Sequence, residues 1–220
     1  MTSLGRALTT LGVAGLLVVA AVGCVQTPTA PPAPQASREY MRLDLPEQAA
    51  RGERIEVIEF FYYGCPVCYE LDPMLRRWSI EAPGDIVVRR VPALASASWE
   101  SFARLYYALE AIGELPRLHW PVYEGFHFEG ISLSEEPEML EWVASNGVDA
   151  KKFLAVYRSP AVQAKVAAAR EMIRAYGVKG VPSIAIDGKF LTSARMAGGT
   201  RELMPVLDRL VEQARKERAR

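Results

Sequence analysis

Charge of one sign is what this sequence most plainly lacks. Its 26 lysines and arginines balance 26 aspartates and glutamates, so there is no basic field to hold a nucleic acid and no acidic tail. Histidine is scarce: His119 and His127 are the only two, and a zinc site needs about four ligands. Cysteine occurs only three times, at Cys24, Cys65 and Cys68, an odd number that cannot all pair within one chain. No internal repeat is visible. What is present is a chain of 220 residues, 50% of them hydrophobic. That is enough for one domain with a full core, or for a domain carrying an insertion.

The N-terminus reads as a targeting segment. Arg6 precedes an uncharged apolar stretch from Leu11 to Gly23, which suits a signal peptide and is short for a bilayer-spanning helix of roughly 20 apolar residues. The stretch ends in "AVGC", which resembles the lipobox of bacterial lipoproteins. The resemblance implies cleavage after residue 23 and a lipid on Cys24, anchoring the protein to a membrane; an ordinary signal peptide or an uncleaved anchor is the alternative. With Cys24 acylated, the folded part holds a single cysteine pair. Residues 24–39, including "VQTPTAPPAPQAS", are rich in proline and alanine and read as an extended tether. Val25 follows the cysteine where some lipoproteins carry a retaining aspartate, which favours the outer membrane.

Beyond the tether the pattern is α/β. "RIEVIEFFYY" (54–63) is apolar on both alternating faces, interrupted only by Glu56 and Glu59, as expected of a strand inside a sheet. "PVCYELDPMLRRWSIEA" has helical spacing with Pro66 in its first turn. "DIVVRRVPAL" is a second strand. From Trp99 to Arg158 come four helical segments joined by glycine or proline, then a long helix capped by Ser159 and stopped by Gly177. "VPSIAIDGKFLT" is a hairpin with a tight Asp-Gly turn, and an amphipathic helix closes the chain. Two parts of one sheet, separated by a helical block, are expected.

Cys65 and Cys68 form a Cys-x-x-Cys pair with three conceivable uses. A metal centre would need His119 and His127 to meet the pair through folding. A structural disulfide closing so short a loop removes little entropy from the unfolded chain. Thiol-disulfide exchange fits the position better. Strand, Gly64, Cys65 and then helix puts the first sulfur at a helix N-terminus, where unpaired N–H groups stabilise a thiolate, while Cys68 lies one turn in.

Two segments together carry a more specific likeness. "EVIEFFYYGCPVCYELDP" resembles the active-site segment of the DsbA family of thioredoxin-fold oxidoreductases, and "GVKGVPSIAIDGKF" resembles that family's cis-proline segment. The resemblance implies a thioredoxin fold with an inserted helical domain: residues 40–98 and 159–220 as the two parts of the thioredoxin domain, 99–158 as the insertion. It also implies no metal or cofactor and disulfide exchange with protein thiols. Carried over, Cys65 attacks and Cys68 resolves. Pro66 and Val67 tune the redox potential, and Val181 and Pro182 form a substrate-facing loop with a cis bond between them. Glu59 is an acid beneath the site, whose alternative is a salt-bridged strand residue with no such role. Val67 departs from the histidine of the best-known members and makes the pair less oxidising.

The implied function is disulfide donation to unfolded or reduced exported proteins on the periplasmic side of the cell envelope, with reoxidation by a DsbB-like membrane partner. A reductase or isomerase is the second reading, although no dimerisation domain is visible. A lipid-anchored holdase using the aromatic stretch "HWPVYEGFHFEG" is the third.

Overall fold

The computed structural model describes residues 39–43, 45 and 53–219. The expectations for the signal peptide, for Cys24 and for all but the end of the tether lie outside the described residues.

Five strands form one mixed sheet: β1 (Tyr40–Arg42), β2 (Ile55–Phe61), β3 (Ile86–Pro92), β4 (Ser183–Ile186) and β5 (Phe190–Ser193). Their spatial order is β1-β5-β4-β2-β3, with β2 and β3 parallel and the other pairs antiparallel. β2 is an interior strand, buried on both faces, which explains its near-continuous apolar run. Its parallel neighbour is reached through α1 (Pro66–Glu81), the crossover that parallel pairing demands. The β4–β5 hairpin turns at Asp187 and Gly188, with φ of 55° and 63°. Both positions are left-handed, the requirement of a tight I′-type turn that Asp-Gly meets.

Between β3 and β4 lie α2 (Ala97–Ala111), α3 (Leu115–His127), α4 (Glu136–Ser145), α5 (Ala150–Tyr157) and α6 (Pro160–Ala175). Ser96, Asp149 and Ser159 cap α2, α5 and α6 by accepting backbone N–H groups. After the hairpin come α7 (Ala194–Ala197) and α8 (Thr200–Arg218). The sheet thus carries a helical insertion, a thioredoxin-like fold.

Two elements escaped the sequence pattern. β1 is three residues long and exists by pairing with β5, too short for any alternation to register. α7 is a single turn whose N-cap, Ser193, is the last residue of β5.

Two hydrophobic cores flank the sheet. Ile55 and Val57 pack with Leu71 and Leu75 of α1 and with Leu203, Leu207 and Leu210 of α8. Ile58, Phe60, Phe61 and Tyr63 pack with Cys68 and with the helices of the insertion. Among the described residues, no helix is long and apolar enough to cross a membrane.

Candidate active site

β2 ends at Phe61, and four residues later Cys65 stands as the N-cap of α1, its φ/ψ of −92°/116° still extended. Its Sγ accepts the backbone N–H of Cys68 at 3.3 Å. This sulfur therefore occupies the place a capping serine oxygen usually takes, facing the unpaired donors of the first turn. Pro66 follows at the start of the helix, where its missing N–H is no loss. Gly64 makes the corner possible. A Cβ there would sit 2.5 Å from the ring of Tyr62, which is itself stacked on Trp99 at 3.9 Å.

The two sulfurs differ in surroundings. Cys65 is partly exposed, whereas Cys68 is fully buried. A hydrogen bond from the Cys68 thiol draws the Cys65 pKa down to about 6; burial opposes this, and the N–H groups of Cys68 and Val67 add to the fall. Burial pushes the Cys68 thiol far up, and its bond to Cys65 and the nearby charges of Cys65 and Glu59 push the same way. Near neutral pH the pair holds one thiolate, at Cys65, and one thiol.

Opposite the pair, the Val181–Pro182 bond is cis, the isomer that the resemblance implies. The Val181 carbonyl oxygen lies 3.8 Å from Cys65 Sγ. Beside it runs a groove of about 930 Å³ lined by Val67, Val181, Pro182, Leu191, Met196 and Gly198 among others. Val67 is 40% exposed, so the second of the two residues between the cysteines faces solvent and the groove.

Beneath the pair, Glu59 is fully buried. It receives Arg90 Nε on Oε2 at 3.0 Å, while its Oε1 has no hydrogen-bond partner. Burial lifts its carboxyl to about 7, against the pull of Arg90, and the charges of Asp72 and Cys65 lift it further. Glu59 is thus at once an ion-paired strand residue and an acid that titrates near neutrality. Its pairing was half visible in the sequence: Glu59 and Arg90 both interrupt apolar strands, and β2–β3 register sets them side by side.

Other buried polar residues gave a weaker signal or none. Asp72 accepts Arg90 Nη2 at 2.8 Å, and His119 and Tyr63 continue the chain behind it. Asp72 is one helical turn beyond Cys68 and so shares its face, a spacing that could have marked it. His119 comes from the insertion, and nothing local announces its contact. The two histidines differ in their surroundings. His119 is 9% exposed, and His127 Nε2–H donates to the Tyr63 carbonyl oxygen at 2.8 Å. Neither ring is directed to the cysteines by any hydrogen bond, and among the described residues no cluster of ligands could hold a metal ion.

With that geometry in view, similarity decides the family. Residues 85–204 match the DSBA-like thioredoxin domain family. The thiol:disulfide interchange protein DsbA of Azotobacter vinelandii is 36% identical over 178 residues, 81% of this chain and 83% of that protein. The chain belongs to the DsbA-like family. The Bordetella pertussis DsbA is also 36% identical, over 202 residues that cover 91% of this chain and 96% of the relative. The crystal structure of Pseudomonas aeruginosa DsbA superposes with a TM-score of 0.78 at 34% identity, covering 83% of this chain and 95% of that one. As a DsbA-like protein this chain is a thiol:disulfide oxidoreductase with a thioredoxin-like fold.

Proposed function

We propose that Cys65 is the attacking thiolate and Cys68 the resolving thiol of a disulfide donor in the bacterial cell envelope. The observation that carries this reading is the asymmetry of the pair: a partly exposed sulfur with a pKa near 6 at a helix N-terminus, and a buried sulfur with its pKa far above normal. In the oxidised form a substrate thiolate attacks Cys65 Sγ. The Cys65–Cys68 bond breaks, and Cys68 leaves and takes a proton from Glu59. A second substrate thiolate then attacks the substrate sulfur of the mixed disulfide, and Cys65 leaves as the stabilised thiolate. Two electrons pass from the substrate dithiol to the protein, and a low-pKa leaving thiol favours that direction.

Val181 and Pro182 hold the substrate backbone beside Cys65, in extended pairing of the β-augmentation kind. Pro66 and Val67 tune the potential; the Val67 side chain offers no cation to the thiolate. The substrates are unfolded or reduced exported proteins, and a DsbB-like membrane protein restores the disulfide on the periplasmic side. Residues 1–23 are a removed signal peptide, Cys24 carries the lipid that anchors the chain, and the lack of a retaining aspartate at Val25 favours the outer membrane. Residues 24–39 are the tether. Residues 40–98 and 159–220 form the thioredoxin domain, interrupted by the helical insertion 99–158.

The test is trapping. In Cys68→Ser the lone Cys65 thiolate can still attack a disulfide of an exported protein, expelling one substrate thiolate. Cys68 is no longer there to expel the other, so mixed disulfides should accumulate in cells, while thiol labelling should find the parent pair largely oxidised. Failure to trap would overturn the assignment of Cys65, and a predominantly reduced pool would favour the reductase or isomerase. Cys24→Ala should release the protein from membranes, and unchanged fractionation would remove the lipid.

A further inference from the structure

Five side chains, four buried and Arg90 partly exposed, form a continuous hydrogen-bonded chain that links the insertion to the floor of the active site. Tyr63 Oη lies 2.7 Å from His119 Nδ1, and His119 Nε2 lies 3.2 Å from Asp72 Oδ1. Asp72 Oδ1 accepts Arg90 Nη2 at 2.8 Å, and Arg90 Nε donates to Glu59 at 3.0 Å. The chemistry of the partners assigns the protons. Asp72 is held ionised: burial works to raise its pKa, but His119 and Arg90 together bring it below the usual carboxylate range. A carboxylate only accepts, so His119 Nε2 carries the proton and Nδ1 of the neutral ring accepts the Tyr63 hydroxyl. Burial keeps that ring neutral, holding its pKa below the ordinary value.

One guanidinium thus serves two carboxylates. Whatever holds Asp72 against Arg90 governs how much of that positive charge remains for Glu59. We propose that His119, supplied by the insertion, is a positioning residue for disulfide exchange: by fixing Asp72 against Arg90 it sets how readily Glu59 gives or takes the Cys68 proton. The inference rests on the reading of Glu59 as the proton partner of Cys68.

The other groups facing Glu59 do not take over this role. Tyr63 beyond β2, Tyr106 on α2 and Tyr123 on α3 are all pushed up by burial and stay neutral. Cys65 at the N-cap of α1 and Cys68 in its first turn are the reacting sulfurs. The partner of Glu59 on β4 is Ile184, which is apolar.

The experiment follows Glu59 itself. Carbon-13 NMR of the reduced protein reads the midpoint of its carboxyl directly. In parallel, a Cys65–glutathione mixed disulfide reports the resolving step. There Cys68 yields its proton to Glu59 and bonds Cys65 Sγ, and glutathione leaves as a thiolate that is protonated from solvent. Glu59→Gln should remove the corresponding limb from the pH profile of that step. A limb that survives Glu59→Gln refutes the proton-partner reading, and with it the present inference.

If the limb does belong to Glu59, His119 is tested separately. His119→Leu takes away the N–H that fixes Asp72 against Arg90, so Asp72 competes less well for the guanidinium and more of its charge is left to Glu59. The Glu59 midpoint should fall by about one pH unit. Asp72→Asn should lower it at least as far, and the double variant no further than Asp72→Asn alone. His119→Asn, whose shorter amide can meet Tyr63 but cannot reach Asp72, should behave as His119→Leu does. His119→Gln, which can restore the donor to Asp72, should return the midpoint towards the parent. An unmoved midpoint in His119→Leu or His119→Asn, with only thermal stability lost, would reduce His119 to a packing residue. So would a double variant whose shift is the sum of its parts.

Discussion

The two cores of this molecule are built from different material. The core between the sheet, α1 and α8 is largely aliphatic, with Ile55, Val57, Ile184 and Ile186 on the strands facing leucines on the helices. The core towards the insertion is crowded with rings: Phe61, Tyr63, Tyr106, Tyr123 and His119 meet edge to face or tilted at centroid distances of 4.9–6.3 Å. Aliphatic packing is non-directional and offers no polar group, so it can stabilise but not take part in chemistry. Aromatic packing brings hydroxyls and imidazoles inside with it, and these need partners. Cys68 belongs to the aromatic core. The difference teaches that here the aliphatic core serves stability, while the reacting Cys68 sulfur sits in the core that brings polar groups inside, with Glu59 as the exception on the aliphatic face.

That separation is tested most severely by a crossed pair of variants. Cys65→Ser should abolish thiol-disulfide exchange, a loss of at least ~10³-fold, with thermal unfolding of the reduced protein little changed. Leu207→Ala, in the aliphatic core and fully buried, should lower stability by about 2–5 kcal/mol. In that variant Cys65 should still titrate near 6. Thiolate absorbance and calorimetry on both proteins decide the matter: a shifted Cys65 midpoint in Leu207→Ala would show that the cores are not independent.

A smaller effect should arise from Glu59, which lies on the aliphatic side by strand alternation yet takes part in the polar chain. Folding raises its pKa from 4.5 to about 7. Between those values the folded protein holds a proton that the unfolded chain has given up. Stability therefore falls as pH rises through that window, by about 3 kcal/mol in all. Glu59→Gln should remove this decline, so its stability relative to the parent should grow between pH 4.5 and pH 7 in urea titrations. Parallel curves for the two proteins would mean that Glu59 is ionised throughout.

The finest adjustment concerns Val67 alone. Val67→His places a hydrogen-bonding cation beside the Cys65 thiolate, and the Cys65 midpoint should drop by about one unit, making the pair more oxidising by roughly 30 mV. Equilibration with glutathione reads the change, and stability of the oxidised form should hardly move. A potential that becomes more reducing would contradict the proposed stabilisation.

Much of this was legible before any coordinates. Buried strand, Gly64, Cys65, Pro66 and helix are neighbours in sequence, so their spacing alone placed a sulfur at a helix N-terminus. Dipeptide chemistry marked the turn at Asp187–Gly188, and serine and proline marked the start of α6. These features depend on interactions within a few residues, where backbone geometry follows from local side chains. What the local pattern could not contain was the company each residue keeps. Cys68 lowers the Cys65 pKa through its own thiol, which the helix dipole argument did not include, and Val181 reaches Cys65 only because β4 pairs with β2. His119, Asp72, Arg90 and Glu59 come from α3, α1, β3 and β2 and meet only when the insertion closes over the sheet. Burial then sets their protonation, because desolvation depends on every segment that excludes water and on no single stretch of chain.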